Sequence, residues 1–127
     1  MRIRDLKPSD AIGVDATESL RGAAKHLADD EIGVLVVWGS RGAIGVIGER
    51  DLARAVADGM DVDEVPVEEY MTEAPVVVRM DDPVGAAVAK MNDFGLRHLV
   101  VVDDSSICGV VSMRDVVALL GTRWPEL

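Results

Sequence analysis

The sequence predicts an α/β (α+β) fold made of two β-α-β-β-α repeats. Three observations predict it. Shifting the chain by 64 residues superimposes its halves without a gap. Within each half, one stretch carries apolar residues at helical spacing, and another carries two short apolar runs flanking a turn. The composition is that of a folded domain: 49% of the 127 residues are apolar, and because only 3% are aromatic the core must be aliphatic.

The 64-residue register holds through every element. Val14, Ala23 and Asp29 fall on Val78, Ala87 and Asp93; Leu35-Val36-Val37 on Leu99-Val100-Val101; Gly45-Val46 on Gly109-Val110; and Arg50-Asp51 on Arg114-Asp115. Each repeat opens on a short extended piece, Ile12 to Val14 or Val76 to Val78. A helix follows, with an apolar stripe at i, i+3, i+4 and i+7: Leu20, Ala23, Ala24 and Leu27 in the first repeat, Val84, Ala87, Val88 and Met91 in the second. Asp82-Pro83 reads as an N-cap followed by proline at the first helical position, and Gly95 as a stop. Two apolar runs come next, Val34 to Trp38 with Ala43 to Ile47, and Leu99 to Val102 with Ile107 to Val111. Each pair spans a four-residue turn, Gly39 to Gly42 or Asp103 to Ser106, and so reads as a hairpin. Second helices close the repeats near Arg50 to Ala57 and Arg114 to Leu120, with Gly59 and Gly121 where they should end. The whole chain is expected to form a single module: repeat one at about 3–59, an acidic linker at about 60–69 containing Pro66, and repeat two at about 70–121.

Charge and composition exclude several classes of function. The net charge is −10, so no basic face exists for general nucleic-acid binding, and anionic membranes are disfavoured. Apolar runs such as Leu99 to Val102 are too short to span a bilayer, and no targeting signal opens the chain. A cytoplasmic location is expected. Cys108, the only cysteine, reads as a small buried strand residue. His26 reads as an exposed helix residue, and Trp124-Pro125 as a frayed tail. No His/Cys/carboxylate cluster has metal-ligand spacing, and neither a nucleophile-elbow nor a phosphate-loop motif occurs, so an enzyme is not expected.

Tyr70-Met-Thr-Glu-Ala-Pro75, Leu96-Arg-His-Leu-Val-Val-Val-Asp103 and Gly109-Val-Val-Ser-Met-Arg-Asp115 together resemble the CBS family, over about Ile3 to Leu120. The resemblance implies a CBS-pair fold with pseudo-twofold symmetry and two clefts between the repeats. It also implies a regulatory module (a Bateman module) that binds AMP, ADP or ATP, or less readily S-adenosylmethionine, with no covalent cofactor. Further pairing into a homodimer and a separate target protein regulated in trans follow from it as well. A ligand-free dimerisation scaffold of the same fold is the alternative.

Ser112 and Asp115 admit two readings. Serine followed three residues later by an acid is close to a capping box. The same residues, at a helix start with free N–H groups, suit a phosphate on the serine side and ribose hydroxyls on the carboxylate. Arg97 offers phosphate a planar fork, and His98 could add a donor. Arg114 faces either phosphate or solvent. Adenine is expected against Val76, Val77 and Val110. Repeat one is the weaker partner: Asp51 and Val46 remain, but Gly48 stands in place of Ser112, Glu49 adds negative charge, and Gly33-Val34 replace Arg97-His98.

Overall fold

The structure, a computed structural model, describes residues 1–30 and 32–122. Trp124 and Pro125 lie outside these. Besides two short 3-10 helices (Ile3–Leu6 and Val67–Glu69), the described residues form β1 (Gly13–Asp15), α1 (Leu20–Asp29), β2 (Val34–Gly39), β3 (Gly42–Gly48), α2 (Glu49–Ala57), β4 (Val77–Arg79), α3 (Val84–Phe94), β5 (His98–Asp103), β6 (Ser106–Ser112) and α4 (Met113–Thr122). They form two three-stranded sheets, ordered β1-β2-β3 and β4-β5-β6. In each, the first strand runs parallel to the second and the second antiparallel to the third. A parallel pair needs a crossover, and α1 and α3 supply it. The β-α-β-β-α repeat is therefore present twice.

Each sheet buries one face against its own helices. Val14, Leu35, Val37 and Ile47 meet Leu20, Ala23, Leu27 and Ala55 in the first core. Val78, Leu99, Val101 and Val111 meet Ala87, Met91 and Val116 in the second. The predicted stripe of α1 is buried or half-buried, but Val88 of the α3 stripe is exposed. Ser19 caps α1 by accepting from the Gly22 N–H at 3.0 Å. At α3 the N-cap is Pro83, not Asp82. Asp82 is engaged elsewhere, its Oδ2 accepting from the Arg79 N–H at 2.8 Å across the preceding turn. Gly95 does end α3, in the left-handed conformation, with its N–H bonded to the Met91 carbonyl. Gly59, also left-handed, follows α2, whereas Gly121 lies inside α4 rather than beyond it.

The hairpins are tighter than the sequence suggests. Gly39 pairs with Gly42 and Asp103 with Ser106, leaving two-residue loops. Both hairpins carry a bulge at the same place, beside Val37/Trp38 and Val101/Val102. The second bulge exposes Cys108, contrary to its expected burial, because the extra residue drops out of the inward alternation. Its Sγ still donates to the Val101 carbonyl, 3.4 Å away, while partial desolvation and the Asp103 carboxylate push the thiol's pKa up. His26 is exposed, as expected.

Packing does not follow the repeat boundaries. One compact unit is Ile12–Pro75; the other joins Met1–Ala11 to the chain from Val76 onward. These are called the first and second units below. In the first, the stretch expected as a linker is packed: Val67 is fully buried, the Leu20 and Arg21 N–H groups bond to the Val65 and Val62 carbonyls, and Arg21 pairs with Asp63. In the second, Ile3 and Leu6 enter the core and the Ile3 N–H bonds to the Asp82 carbonyl. The lead-in to each repeat thus completes the unit that contains the other repeat's sheet.

Candidate functional site

In the second unit the hairpin β5–β6 gathers most of the predicted residues at one sheet end. His98, the first residue of β5, is the register partner of Ser112, the last of β6. The Arg97 carbonyl accepts from the Met113 N–H at 2.8 Å, which ties the approach to β5 to the start of α4. Ser112 and Asp115 form a reciprocal capping box. The Ser112 N–H donates to Asp115 Oδ2 (2.8 Å) and the Asp115 N–H donates to Ser112 Oγ (3.1 Å).

This geometry settles the capping question and alters the phosphate argument. The N–H groups of Ser112, Met113 and Asp115 are already bonded within the unit. The helix start is therefore not the open row of N–H donors expected from sequence, because the capping box and the Arg97 carbonyl use them. What the site retains is side-chain capacity. Ser112 accepts at Oγ and still has an O–H to donate, and Asp115 has a second carboxylate oxygen. Arg97 and Arg114 are exposed, and His98 is half-buried.

The apolar side of the site is a row across three strands. Val77, Val100 and Val110 are register partners. They share the sheet face opposite the helix-side core, because Val78, Val101 and Val111 point into that core. Strand alternation puts His98 and Ser112 on the same face as the row. Val76 is not part of it: it packs against the helix-side core with Met80 and Val84. The reason is one residue of register, which reverses the face.

The first unit repeats the frame with different side chains. Asp51 Oδ2 accepts from the Gly48 N–H at 2.9 Å, and the carboxylate lies 3.8 Å from Arg54 Nη1. Asp51 is the only charged or polar residue buried among those described. The corresponding row is Gly13, Val36 and Val46.

Sequence reasoning missed a further element of the frame. In each unit a lead-in segment pairs with the outer strand of the hairpin. Thr72 exchanges two backbone hydrogen bonds with Val46 (3.0 and 2.8 Å), and Ser9 does so with Val110 (both 2.9 Å). A Cβ on Gly45 would stand 2.6 Å from the Thr72 carbonyl oxygen, and one on Gly109 2.8 Å from that of Ser9. The signal was present: a glycine at the same register position of both repeats marks close backbone approach.

Comparison with known proteins decides the family. The CBS domain model matches twice, over residues 3–58 and 67–122. The chain belongs to the CBS domain family. It is a tandem CBS pair, and its relatives include pairs of similar length and longer proteins. An uncharacterized protein of Methanopyrus kandleri is 34% identical over 91% of this CBS pair, which spans 60% of that relative's length. The CBS domain protein PAE2072 of Pyrobaculum aerophilum, solved in complex with AMP, is 30% identical, covers 96% of this chain and 99% of its own, and superimposes with a TM-score of 0.82. The CBS domain pair of protein MJ0100, solved with 5′-methylthioadenosine and S-adenosyl-L-methionine, is 27% identical, covers 95% and 100%, and has a TM-score of 0.81. Among the described residues of this CBS pair, no three His, Cys, Asp or Glu residues are grouped to hold a metal. No described helix is long and apolar enough to cross a membrane.

Proposed function

We propose that this CBS pair is a non-catalytic regulatory module that binds an adenine nucleotide through its second unit. The observation that carries the reading is that His98 and Ser112 are register partners at the end of the sheet face that bears Val77, Val100 and Val110, with Asp115 bonded to Ser112 and the Arg97 backbone tied to the start of α4. An apolar row supports the base, Asp115 accepts from the ribose, and Arg97, with Arg114 and the Ser112 hydroxyl, meets the phosphate. The AMP complex of the Pyrobaculum relative supports the same ligand class. Because the Ser112, Met113 and Asp115 N–H groups are already bonded, the charge of Arg97 carries most of the phosphate preference. AMP and ADP therefore rank above S-adenosylmethionine at this unit, with ATP in the same class. The module works in the cytoplasm, as a homodimer, and passes its ligand state to a separate polypeptide.

Calorimetric titration of the wild type, Arg97→Gln and Asp115→Asn tests this reading. Asparagine keeps an acceptor for the Ser112 N–H, so it separates ribose binding from capping. Arg97→Gln should weaken AMP about tenfold or more while leaving adenosine nearly unchanged, by the worth of a charged hydrogen bond. If AMP, ADP, ATP and S-adenosylmethionine all give no heat and no thermal shift, the reading fails.

The second reading is a ligand-free scaffold, which the capping box favours because it explains Ser112 and Asp115 without a ligand. A melting temperature indifferent to millimolar nucleotide would select it.

A further inference from the structure

The two units differ most at the hairpin-tip end of the sheet, the end away from Gly48 and Asp51. There, in the first unit, Trp38 is in register with Asp15 on one side and Ala43 on the other. The matching row of the second unit is Arg79, Val102 and Ile107. An acid and an indole thus stand where the second repeat has a base and a valine. A Cβ on Gly13 would fall into the indole ring, so the ring lies directly on the glycine backbone. Val14 points into the helix-side core, so Gly13 and Asp15 share the opposite face of the sheet with the ring. The row is open: Trp38 is 45% exposed, and Asp15 and Ala43 are exposed too. Val36 and Val46, farther along the same face, are buried.

Both groups favour a cation. An exposed indole face attracts ammonium and guanidinium groups through its quadrupole. The carboxylate of Asp15 stays ionised, because the N–H and hydroxyl of Thr17 donate to its Oδ1 at 2.9 and 2.7 Å and hold it below its usual range. Both bonds fall on Oδ1, which leaves Oδ2 for an incoming donor. The charge of the whole unit has the same sign. Residues 12–75 carry 14 Asp or Glu against 5 Lys or Arg, a net −9, whereas the rest of the chain carries 9 against 8, a net −1. Arg41, in the turn, is the one basic residue of the β2–β3 hairpin. Such a field repels nucleic acid and anionic lipid, and it steers a basic polypeptide toward the first unit. Tryptophan is also among the side chains most enriched as anchors of protein interfaces.

We propose that the row Asp15, Trp38 and Ala43 is a docking surface for a basic segment of a partner polypeptide, one Arg or Lys of which lies on the Trp38 indole with its charge on Asp15. The second unit does not compete for that segment, because Arg79 stands in place of Asp15. The inference rests on the reading that the module passes its state to a separate polypeptide. It adds where that polypeptide docks and what chemistry it presents, and it is independent of which nucleotide binds.

A hexa-arginine peptide tests it, with hexaglutamate as the control. The chain has two tryptophans, so Trp124→Phe leaves Trp38 as the sole indole emitter. Hexa-arginine should change the Trp38 emission saturably in low salt and less in high salt, and hexaglutamate should not. In anisotropy of the labelled peptide, Trp38→Ala should weaken binding about tenfold or more, the scale of an interface anchor, and Trp38→Phe should restore part of the loss. Asp15→Asn, which keeps an acceptor for Thr17, should weaken it about fivefold, the upper worth of an exposed ion pair. Asp15→Arg, which copies the second repeat, should abolish the Trp38 response. Glu64→Gln removes the same charge from the segment packed on α1 and should barely change binding. Melting curves should match the wild type throughout, since each substituted residue is exposed. The inference is overturned if hexa-arginine leaves Trp38 emission unchanged, if Glu64→Gln weakens binding as much as Asp15→Asn, or if the small polyamine spermine engages Trp38 as tightly as the peptide. Calorimetry with AMP on the same samples keeps the two readings apart. A peptide response without AMP binding removes the nucleotide and leaves the docking surface; AMP binding without a peptide response does the reverse.

Discussion

At the scale of single residues, Asp51 and Asp115 do the same structural work whether or not a ligand is present. Each accepts from the N–H of the residue three before it, at 2.9 and 2.8 Å. Without the carboxylate that N–H loses its partner. Asp51→Ala and Asp115→Ala should each lower stability by about 1 kcal/mol, the usual worth of a cap, and asparagine should recover most of it. Urea unfolding measures this; equal stability of Asp51→Ala and wild type would remove the structural role. Gly45 and Gly109 differ from most glycines in that backbone, not a side chain, blocks a Cβ. Gly45→Ala and Gly109→Ala should each cost about 1–3 kcal/mol, as overpacking does, because the Thr72 or Ser9 carbonyl must move.

Among the elements, the two lead-in segments matter most. Ile3 is fully buried in the second core and Val67 in the first. Ile3→Ala should destabilise by about 2–5 kcal/mol, the range for large core truncations. Hydrogen exchange should locate the loss in β4–β6 and the helices packed on them. Uniform loosening in β1–β3 instead would contradict the assignment of residues 1–11 to the second unit. The segment 60–65 is held to α1 partly by the exposed Arg21–Asp63 pair. The Asp63 pKa is lowered by hydrogen bonding to Arg21 and by its charge. A depressed carboxylate favours the folded state above its unfolded pKa, and that contribution is lost as pH falls through the folded value. Asp63→Asn should therefore flatten the acid limb of the stability profile and leave the neutral-to-alkaline slope unchanged. Being exposed, the effect should shrink in high salt.

For the whole molecule, charge and apolar surface are distributed unequally. The chain carries −10, yet the exposed apolar residues Met113, Val117 and Leu120 follow one another along α4 at i, i+4 and i+7. Only Arg114 and Asp115 are charged on that helix. Repeat one has Glu49, Ala53 and Val56 at the matching positions. This neutral stripe is the surface on which two copies can meet with least repulsion. Val117→Glu with Leu120→Lys should shift sedimentation toward the monomer while preserving the melting curve of the fold at low concentration. A monomeric wild type would remove the homodimer from the proposal.

The sequence by itself determined the repeat, its element order and the family resemblance, because these depend on local periodicity and short motifs. Helical spacing exposes the stripes of α1 and α3, and paired apolar runs expose the hairpins. It also singled out Ser112 and Asp115, since a capping box is a contact between near neighbours in the chain. Only the tertiary structure decided which N–H groups remain for a ligand, that Val76 faces away from Val77, and that Cys108 sits exposed in a bulge. The same holds for the exchange of lead-in segments and for Trp38 lying on Gly13. Each of these depends on which face a strand presents or on backbone meeting backbone far along the chain. A one-residue change of register reverses the first, and local pattern carries no record of the second.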